Sequence, residues 1–354
     1  MVKARLIPYL FSVLLAFGGV TSCQKYEVAG PVDKTELGRT ISTAVNLVLS
    51  TREGAASENY IRGSQVQFVN AISAAQTVYA TASPSQAEIT TANNALNGAL
   101  ATFQSQKVVQ IDPANLVGQW TFDQVPQAAL NDAVHDYSGN GHHGNVKAGH
   151  PLWGGGIPTS ATDRHGDASR ALHFDKGANI EIPYSADINP SKISISLWAK
   201  AGINTPSIID NQYLVAMNRW NCYALKFQNT PKAMFTVNPA ENPGTYISED
   251  NSTTLSQGVW RHIVVTFGEG HMMFYVNGNL VKDWVHSGTV IKQIPAVNLV
   301  FGQDLPTNRY SLVPSDPAYV NNGGYYIGYL DEVRIYKSVL TPAQVTSIYQ
   351  LEKP

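Results

Sequence analysis

Gly258 to Val281 reads GVWRHIVVTFGEGHMMFYVNGNLV, and apolar residues recur in it at every second position. Ile263, Val265 and Phe267 share one face of a strand that starts near Trp260, and the chain then turns into Met272 to Val276. Asn277-Gly278 separates that run from Leu280-Val281. Asn-Gly between apolar runs is a strong hairpin signal, because a type I′ turn needs positive φ at both central positions. The same two-residue period returns in Ile193 to Trp198 (ISISLW), Val297 to Phe301, Tyr325 to Ile327 and Leu330 to Tyr336. Many short strands separated by turn residues predict two sheets packed as a sandwich. Thr341-Pro342-Ala343-Gln344 then marks the start of a last short helix, with Thr341 and Gln344 placed to cap each other.

Upstream of about residue 107 the composition changes, with Ala, Thr, Ser and Asn replacing the aromatic residues and glycines of the later part. The apolar residues there recur at helical spacing: Leu37, Ile41, Val45 and Val48; Phe68, Ile72, Ala75 and Tyr79; Ile89, Leu96, Leu100 and Phe103. Ser83-Pro84-Ser85-Gln86 reads as the third helix's start, with Ser83 as cap, Pro84 at the first helical position and Gln86 closing a capping box. The expected fold is a small N-terminal three-helix bundle over 33–107 followed by an all-β jelly-roll sandwich over 113–352.

At the N-terminus, Lys3 and Arg5 precede an apolar run from Leu6 to Val20, and Val20-Thr21-Ser22 leads into Cys23. This order predicts a cleaved signal over 1–22 rather than a retained anchor, since the run is broken by Pro8, Gly18 and Gly19. A cysteine at the cut resembles the bacterial lipoprotein signal, which implies acylation of Cys23 and a tether over 23–32. Cys222 is the second of the 2 cysteines, so no disulfide framework is expected. Losing Lys3 and Arg5 takes the 24 basic residues to 22 against 26 acidic ones, and no basic patch invites nucleic acid.

The order of motifs carries a family resemblance. WTFD (Trp120 to Asp123), DYSGNGHHGN (Asp136 to Asn145), ALHFD (Ala171 to Asp175), ISLWAK, GVWRHIVVTF, FYVNGNLV and YLDEVRIYKSVLTPAQV follow one another. The set resembles the concanavalin-A-like, laminin-G-like jelly roll, over about residues 115 to 350. Ala71 to Phe103 resembles the FIVAR helical modules of bacterial surface proteins, here expected to act as a spacer. Together with the lipoprotein signal, the domain order is similar to surface lipoproteins of the Bacteroidetes, which often accompany glycan-uptake systems. The resemblance implies an outer-membrane, lipid-anchored protein facing the cell exterior that binds a glycan, with uptake partners beside it. Gln24, Lys25, Tyr26 and Glu27 match poorly the acidic run that marks surface export in those bacteria.

Fold alone does not give function. A glycosidase needs two carboxylates flanking the scissile bond, and the Glu-x-Asp-x-x-Glu spacing of hydrolase relatives is absent from the sequence. Asp331 and Glu332 are adjacent, so on a regular strand they point to opposite faces. No GxSxG, HExxH or Gly-rich phosphate loop is present. The expectation is therefore a non-catalytic glycan binder, with a protein-binding adhesin as the alternative and a glycoside hydrolase third.

Aromatic and polar residues in three long loops are the candidate ligand contacts: Trp153; Tyr213, Asn218, Arg219, Trp220 and Asn221; Arg309 and Tyr310. Trp220, flanked by two amides and a guanidinium, is the expected stacking platform, whereas Trp120, Trp198 and Trp260 read as core. The Asp136 to Gly144 turn offers hard oxygen ligands suited to calcium. By resemblance it would join Asp123, Asp136, Asn140 and Asp331, with a carbonyl near His143, around one structural calcium.

Overall fold

The computed structural model describes residues 32–123, 129–203, 211–228 and 231–354; the signal, Cys23 and most of the tether lie outside them. Three helices come first, α1 (Thr35–Ser50), α2 (Ser64–Ala80) and α3 (Gln86–Ser105). Their stripes meet in a core of Leu37, Ile41, Phe68, Ile72, Ile89, Leu96 and Phe103, where Tyr60 from the α1–α2 connection stacks on Phe103 at 4.1 Å. Tyr79 stays 43% exposed. It lies flat over Gly38, where an added Cβ would come 3.1 Å from its ring. The α3 cap is Ser85 rather than Ser83, with Glu88 rather than Gln86 closing the box. The helix begins two residues later because Ser85 is extended and its hydroxyl accepts the Glu88 N–H.

The strands among the described residues are β1 (Leu116–Trp120), β2 (Ala133–Val134), β3 (Gly144–Lys147), β4 (Thr159–Ala161), β5 (Ala171–Phe174), β6 (Asn179–Ile182), β7 (Ile193–Ala201) and β8 (Asn211–Met217). They continue with β9 (Tyr223–Gln228), β10 (Ala233–Val237), β11 (Ile247–Asp250), β12 (Arg261–Gly268), β13 (His271–Val276), β14 (Asn279–Val285), β15 (Leu299–Phe301) and β16 (Gly328–Tyr336), before the final helix α4 (Pro342–Glu352). One sheet runs β14-β13-β12-β7-β16-β5-β4, with β1 also paired to β16; the other runs β11-β10-β9-β8-β15-β6-β3-β2. All pairings between these strands are antiparallel, and neighbours such as β12–β13 and β8–β9 are joined by short turns. The expected type I′ turn is present, with φ of 49° at Asn277 and 77° at Gly278.

Period two divides each strand between core and surface. Ile193, Ile195 and Leu197 of β7 and Ile263, Val265 and Phe267 of β12 face inward onto Val215, Met217, Leu225, Phe227 and Phe301 of the other sheet. Trp120 is fully buried there, and its indole N–H donates to the His142 carbonyl at 2.9 Å. Trp198 is buried on the opposite side, the outer face of the first sheet, beneath α4. Trp260 is only half-buried and also points outward. Of the three tryptophans expected in the core, one lies between the sheets.

α4 seals part of that outer face. Leu340, Val345 and Ile348 pack on Val264, Tyr275 and Tyr336, while Trp198 stacks on Tyr349 and donates to the Glu352 carboxylate at 2.8 Å. The chain leading from the bundle runs alongside, with the Val109 N–H donating to Ser347 at 2.9 Å. His262 is wholly buried among Trp198, Tyr349 and Ser196, its Nε2 2.9 Å from the Ser196 hydroxyl. Burial, reinforced by Arg334 and Arg164 and opposed by Glu352, pushes its pKa down to about 4 from 6.5. The folded state thus favours neutral His262. The stability this supplies is complete above the ordinary histidine pKa and is lost as pH falls toward the folded value, up to about 3 kcal/mol. Urea denaturation of His262→Phe between pH 7 and 4 is expected to show a shallower acid loss of stability than the parent; parallel curves would refute the assignment.

Candidate functional site

The β8–β9 turn is built from Asn218 and Arg219, both left-handed at φ 57°. This conformation is uncommon outside glycine and needs support from its surroundings. Here the support is an ion pair. Arg219 is 1% exposed and Asp304 fully buried, and the guanidinium Nε donates to the Asp304 carboxylate while Nη1 donates to the Pro317 carbonyl at 2.8 Å. The Arg219 N–H also donates to the Asp304 carbonyl at 3.0 Å. Asp304 accepts further bonds from the Tyr310 hydroxyl at 2.5 Å and the Gly324 N–H at 3.3 Å. Burial raises its carboxyl pKa, against the pull of Arg219 and Tyr310. The long Gln303 to Gly324 loop is thereby tied at both ends to one turn.

Arg219 therefore does not reach out to a ligand, contrary to the expectation from sequence. Its guanidinium lies 4.9 Å from the Trp220 ring and holds that ring from below. Trp220 is half-buried, and 6.5 Å away stands Tyr246, tilted by 40° and 52% exposed. Beneath the two rings a small hollow of about 40 Å³ is floored by Tyr213, Ala224, Lys226 and Thr236 on the outer face of the second sheet. Tyr213 is 3% exposed, so it is floor rather than contact; the Lys226 ammonium lies 5.3 Å from its ring. On the other flank of Arg219, Asn218, Asn221 and Arg309 line a shallow cavity of about 210 Å³ with Asp316 and Pro317.

Trp153 and Tyr310 belong elsewhere. Their rings pack edge to face at 4.9 Å, with His150 and Tyr325 against them, and stitch two loops together. Tyr246 and Lys226 were missed in the sequence. Lys226 was legible as the polar, outward member of Leu225-Lys226-Phe227, whereas Tyr246 sits in a Pro/Gly-rich turn with no periodic signal. A wider groove of about 420 Å³ lies between α2 and α3, but its lining of Ala71, Ala75, Val78, Ala95 and Leu96 is almost wholly apolar.

The five residues expected to hold calcium do not gather. The Asp136 carboxylate accepts hydrogen bonds from the N–H groups of Gln119, Ser138 and His142 and from the Ser138 hydroxyl. Burial raises its pKa, but those bonds outweigh burial and leave it below the usual value. His143 Nδ1 accepts the Asp136 N–H, and the Asn140 amide donates to the Leu116 and Val117 carbonyls. Asp331 instead pairs with Arg164 at 2.5 Å, and Asp123 lies 3.6 Å from Arg170. Among the described residues no three His, Cys, Asp or Glu side chains form a metal-holding group. Asp136 is held by protein N–H groups and Asp331 and Asp123 face guanidinium cations, and although the buried Asp331 Oδ1 has no partner, this set does not fit one shared calcium.

Asp331 and Glu332 also break the expected alternation. β16 carries a register shift between Asp331 and Arg334, with Glu332 at φ 51°, so both carboxylates come to the Arg164 side. A bulge re-aims one residue, which a regular period cannot foresee.

Residues 174–346 match the concanavalin A-like lectin/glucanases superfamily, and residues 33–104 match the FIVAR domain. The sheets themselves begin earlier, at β1. No curated protein matches the chain in sequence. Domain 4 of an extracellular arabinanase from Geobacillus stearothermophilus, solved with arabinotriose, is similar at 18% identity and a TM-score of 0.46, over 66% of this chain and 98% of that domain. The binding domain of Paraclostridial Mosquitocidal Protein 1 is similar at 18% identity and 0.46, over 67% and 52%. The botulinum neurotoxin serotype G binding domain is similar at 13% and 0.47, over 67% and 51%. The chain thus spans about half the length of these two binding domains.

Asp304→Ala would strand the Arg219 guanidinium in the interior, and the expected cost is about 3–5 kcal/mol in urea unfolding. The paired replacement Arg219→Met with Asp304→Leu should recover most of that loss, because no charge is then left without a partner. A single mutant as stable as the parent would show that the pair does not hold the loop.

Proposed function

We propose that this chain, which carries a FIVAR domain followed by a concanavalin A-like jelly roll, is a non-catalytic lipoprotein that captures carbohydrate at the outer membrane. The observation that carries the reading is the Trp220–Tyr246 platform, two partly exposed rings over the outer face of the second sheet, the Trp220 ring held by a buried guanidinium. The apolar face of a sugar packs on such rings, while amides and a guanidinium at the rim bind its hydroxyls. Asn218, Asn221 and Arg309, on the other flank of Arg219, supply that rim.

Carboxylates near the platform are already engaged with cations or backbone, which favours binding over hydrolysis. Asp304 is paired with Arg219, Glu249 with Lys282 at 2.8 Å and Asp250 with Lys232 at 3.7 Å, while Asp316 accepts the Ala318 N–H at 2.8 Å. Hydrolysis of a glycosidic bond needs two carboxyl groups free to act on the sugar. The anchoring part of the reading rests on the sequence around Cys23; among the described residues no helix is long and apolar enough to cross a membrane.

On a glycan array, the chain beginning at residue 23 is expected to retain specific sugars, and Trp220→Ala and Tyr246→Ala to lose them with little change in melting temperature. Silence on the array together with Trp220-dependent binding of a matrix protein would replace the glycan reading with an adhesive one. In cell fractionation, Cys23→Ala should move the protein out of the membrane fraction, and continued retention would remove the lipid anchor from the reading.

A further inference from the structure

The outer face of the first sheet carries a second row of chemistry-bearing side chains. Strand register sets Lys200 opposite Tyr329, Tyr329 opposite His173, and His173 opposite Thr159. Trp260 immediately precedes β12, where Arg261 faces Ala199, so it extends the same row beyond Lys200. Cross-strand partners share a face. Four strands and the residue before a fifth thus contribute to a line roughly 19 Å long at a spacing of about 4.8 Å between strands. An open groove of about 400 Å³ follows it from Lys200 to Thr159, lined by Thr159, Ser160, Thr162, His173, Lys200 and Tyr329. That volume lies within the range of about 300–1,000 Å³ typical of small-ligand sites.

We propose that this row is a binding groove for an acidic saccharide, with the Lys200 ammonium receiving a sugar carboxylate and the Trp260 and Tyr329 rings packing against the sugar. The Lys200 ammonium lies 3.9 Å from the Tyr329 ring centroid and 5.1 Å from that of Trp260. Among the described residues no carboxylate pairs with it, although Lys192, Lys232 and Lys282 elsewhere on the domain each have one. Burial disfavours its charge and lowers its pKa, so an arriving anion recovers a cost the folded chain already bears.

The ligand's charge follows from the row. His173 is held toward its neutral form by burial, which with Lys200 outweighs the opposing pull of Asp175. One fixed cation is then present, matching a monoanionic carboxylate. A phosphate dianion is ordinarily met by a guanidinium fork, several cations or a helix N-terminus, none of which lies in this row. The chain's net charge of −2 gives no wider field to attract a polyanion. Aromatic rings flanked by Thr and His side chains favour a sugar as the carrier of the carboxylate. The groove and the Trp220 platform lie on opposite outer faces of the sandwich, so each stands on its own residues.

Calorimetric titration of the chain beginning at residue 23 with galacturonate and glucuronate trimers, and with neutral galactose and glucose trimers, tests the assignment. At least one uronate trimer is expected to bind better than its neutral counterpart, with affinity falling as salt rises. Lys200→Met should weaken that binding about tenfold or more, the scale of a lost charge-assisted hydrogen bond, without moving the melting temperature, while Lys200→Arg keeps part of it. Trp220→Ala should leave uronate binding intact. Absence of uronate binding at millimolar concentration, or binding indifferent to Lys200→Met, would overturn the proposal. Uronate binding abolished by Trp220→Ala alone would place the acidic sugar on the other face, overturning this groove while sustaining the platform. Preferential binding of inorganic phosphate at Lys200 would overturn the saccharide assignment.

Discussion

The Arg219–Asp304 pair sets the second sheet's outer surface. Two charges withdrawn from water are costly, and their mutual attraction offsets that only when the remaining donors and acceptors are satisfied. Arg219 meets this condition through the Pro317 carbonyl, and Asp304 through Tyr310 and Gly324. The pair joins residues 85 positions apart in the chain, so it also selects one conformation for a loop of about twenty residues. Because the guanidinium is fixed, the Trp220 ring above it is fixed as well. A ring held in place before a ligand arrives loses little side-chain entropy on binding. The left-handed turn at Asn218 and Arg219 belongs to the same arrangement, since Arg219 there is held inward by Asp304 while Trp220 follows it.

The first sheet uses charge differently. Arg164 and Arg334 sit among Asp331, Glu332 and Glu352 on its outer face, beneath the end of α4. The bulge at Glu332 turns what would be one inward and one outward carboxylate into two outward ones. Arg164 then serves Asp331, the Glu352 carbonyl and the face of Trp198 together. The helix, the C-terminal end of β16 and the Arg164 loop are locked by one network. Trp198 and His262 lie under that lock, which is why two residues on an outward face are as buried as the inter-sheet core.

Much of this was legible from one strand at a time. The Asn277-Gly278 hairpin, the period-two faces of β7 and β12, the Thr341–Gln344 box and the position of Trp120 each follow from neighbours within a few residues. What escaped depends on partners distant in sequence. Arg219 reads as a ligand contact beside Trp220 until Asp304 is placed against it, and Trp198 reads as inter-sheet core until α4 is laid over the opposite face. The acidic residues assigned to calcium share a sequence pattern, but Asp331 meets Arg164 and Asp136 meets backbone N–H groups. Ser83 and Ser85 are equally good caps on paper; the extended backbone at Ser85 decides between them. The row from Trp260 to Thr159 is visible within each strand as an outward residue, but its continuity depends on register, which no single strand contains.

α4 also explains why that row is open. The helix ends at Glu352, whose carboxylate is spent on the Trp198 indole and Arg334. Lys200 lies two residues farther along β7, about 7 Å past Trp198 at the usual strand rise. The helix therefore covers the Trp198 row and stops short of the next one. On the second sheet the loop from Gln303 to Gly324 is tied to Arg219, leaving Lys226 beneath two rings in a hollow of about 40 Å³. Both lysines lie over tyrosines, at 3.9 Å for Lys200 and 5.3 Å for Lys226, yet their surroundings separate their uses. Lys226 has Asp304 nearby to counter its loss of hydration and too little space for a sugar ring below Trp220, so contact there falls to the rings and the rim. Lys200 faces an open groove ten times larger, with burial alone acting on its charge. The same pairing of ammonium and ring is thus a closed floor on one face and an anion receptor on the other, and the difference lies in what the neighbouring loop or helix covers.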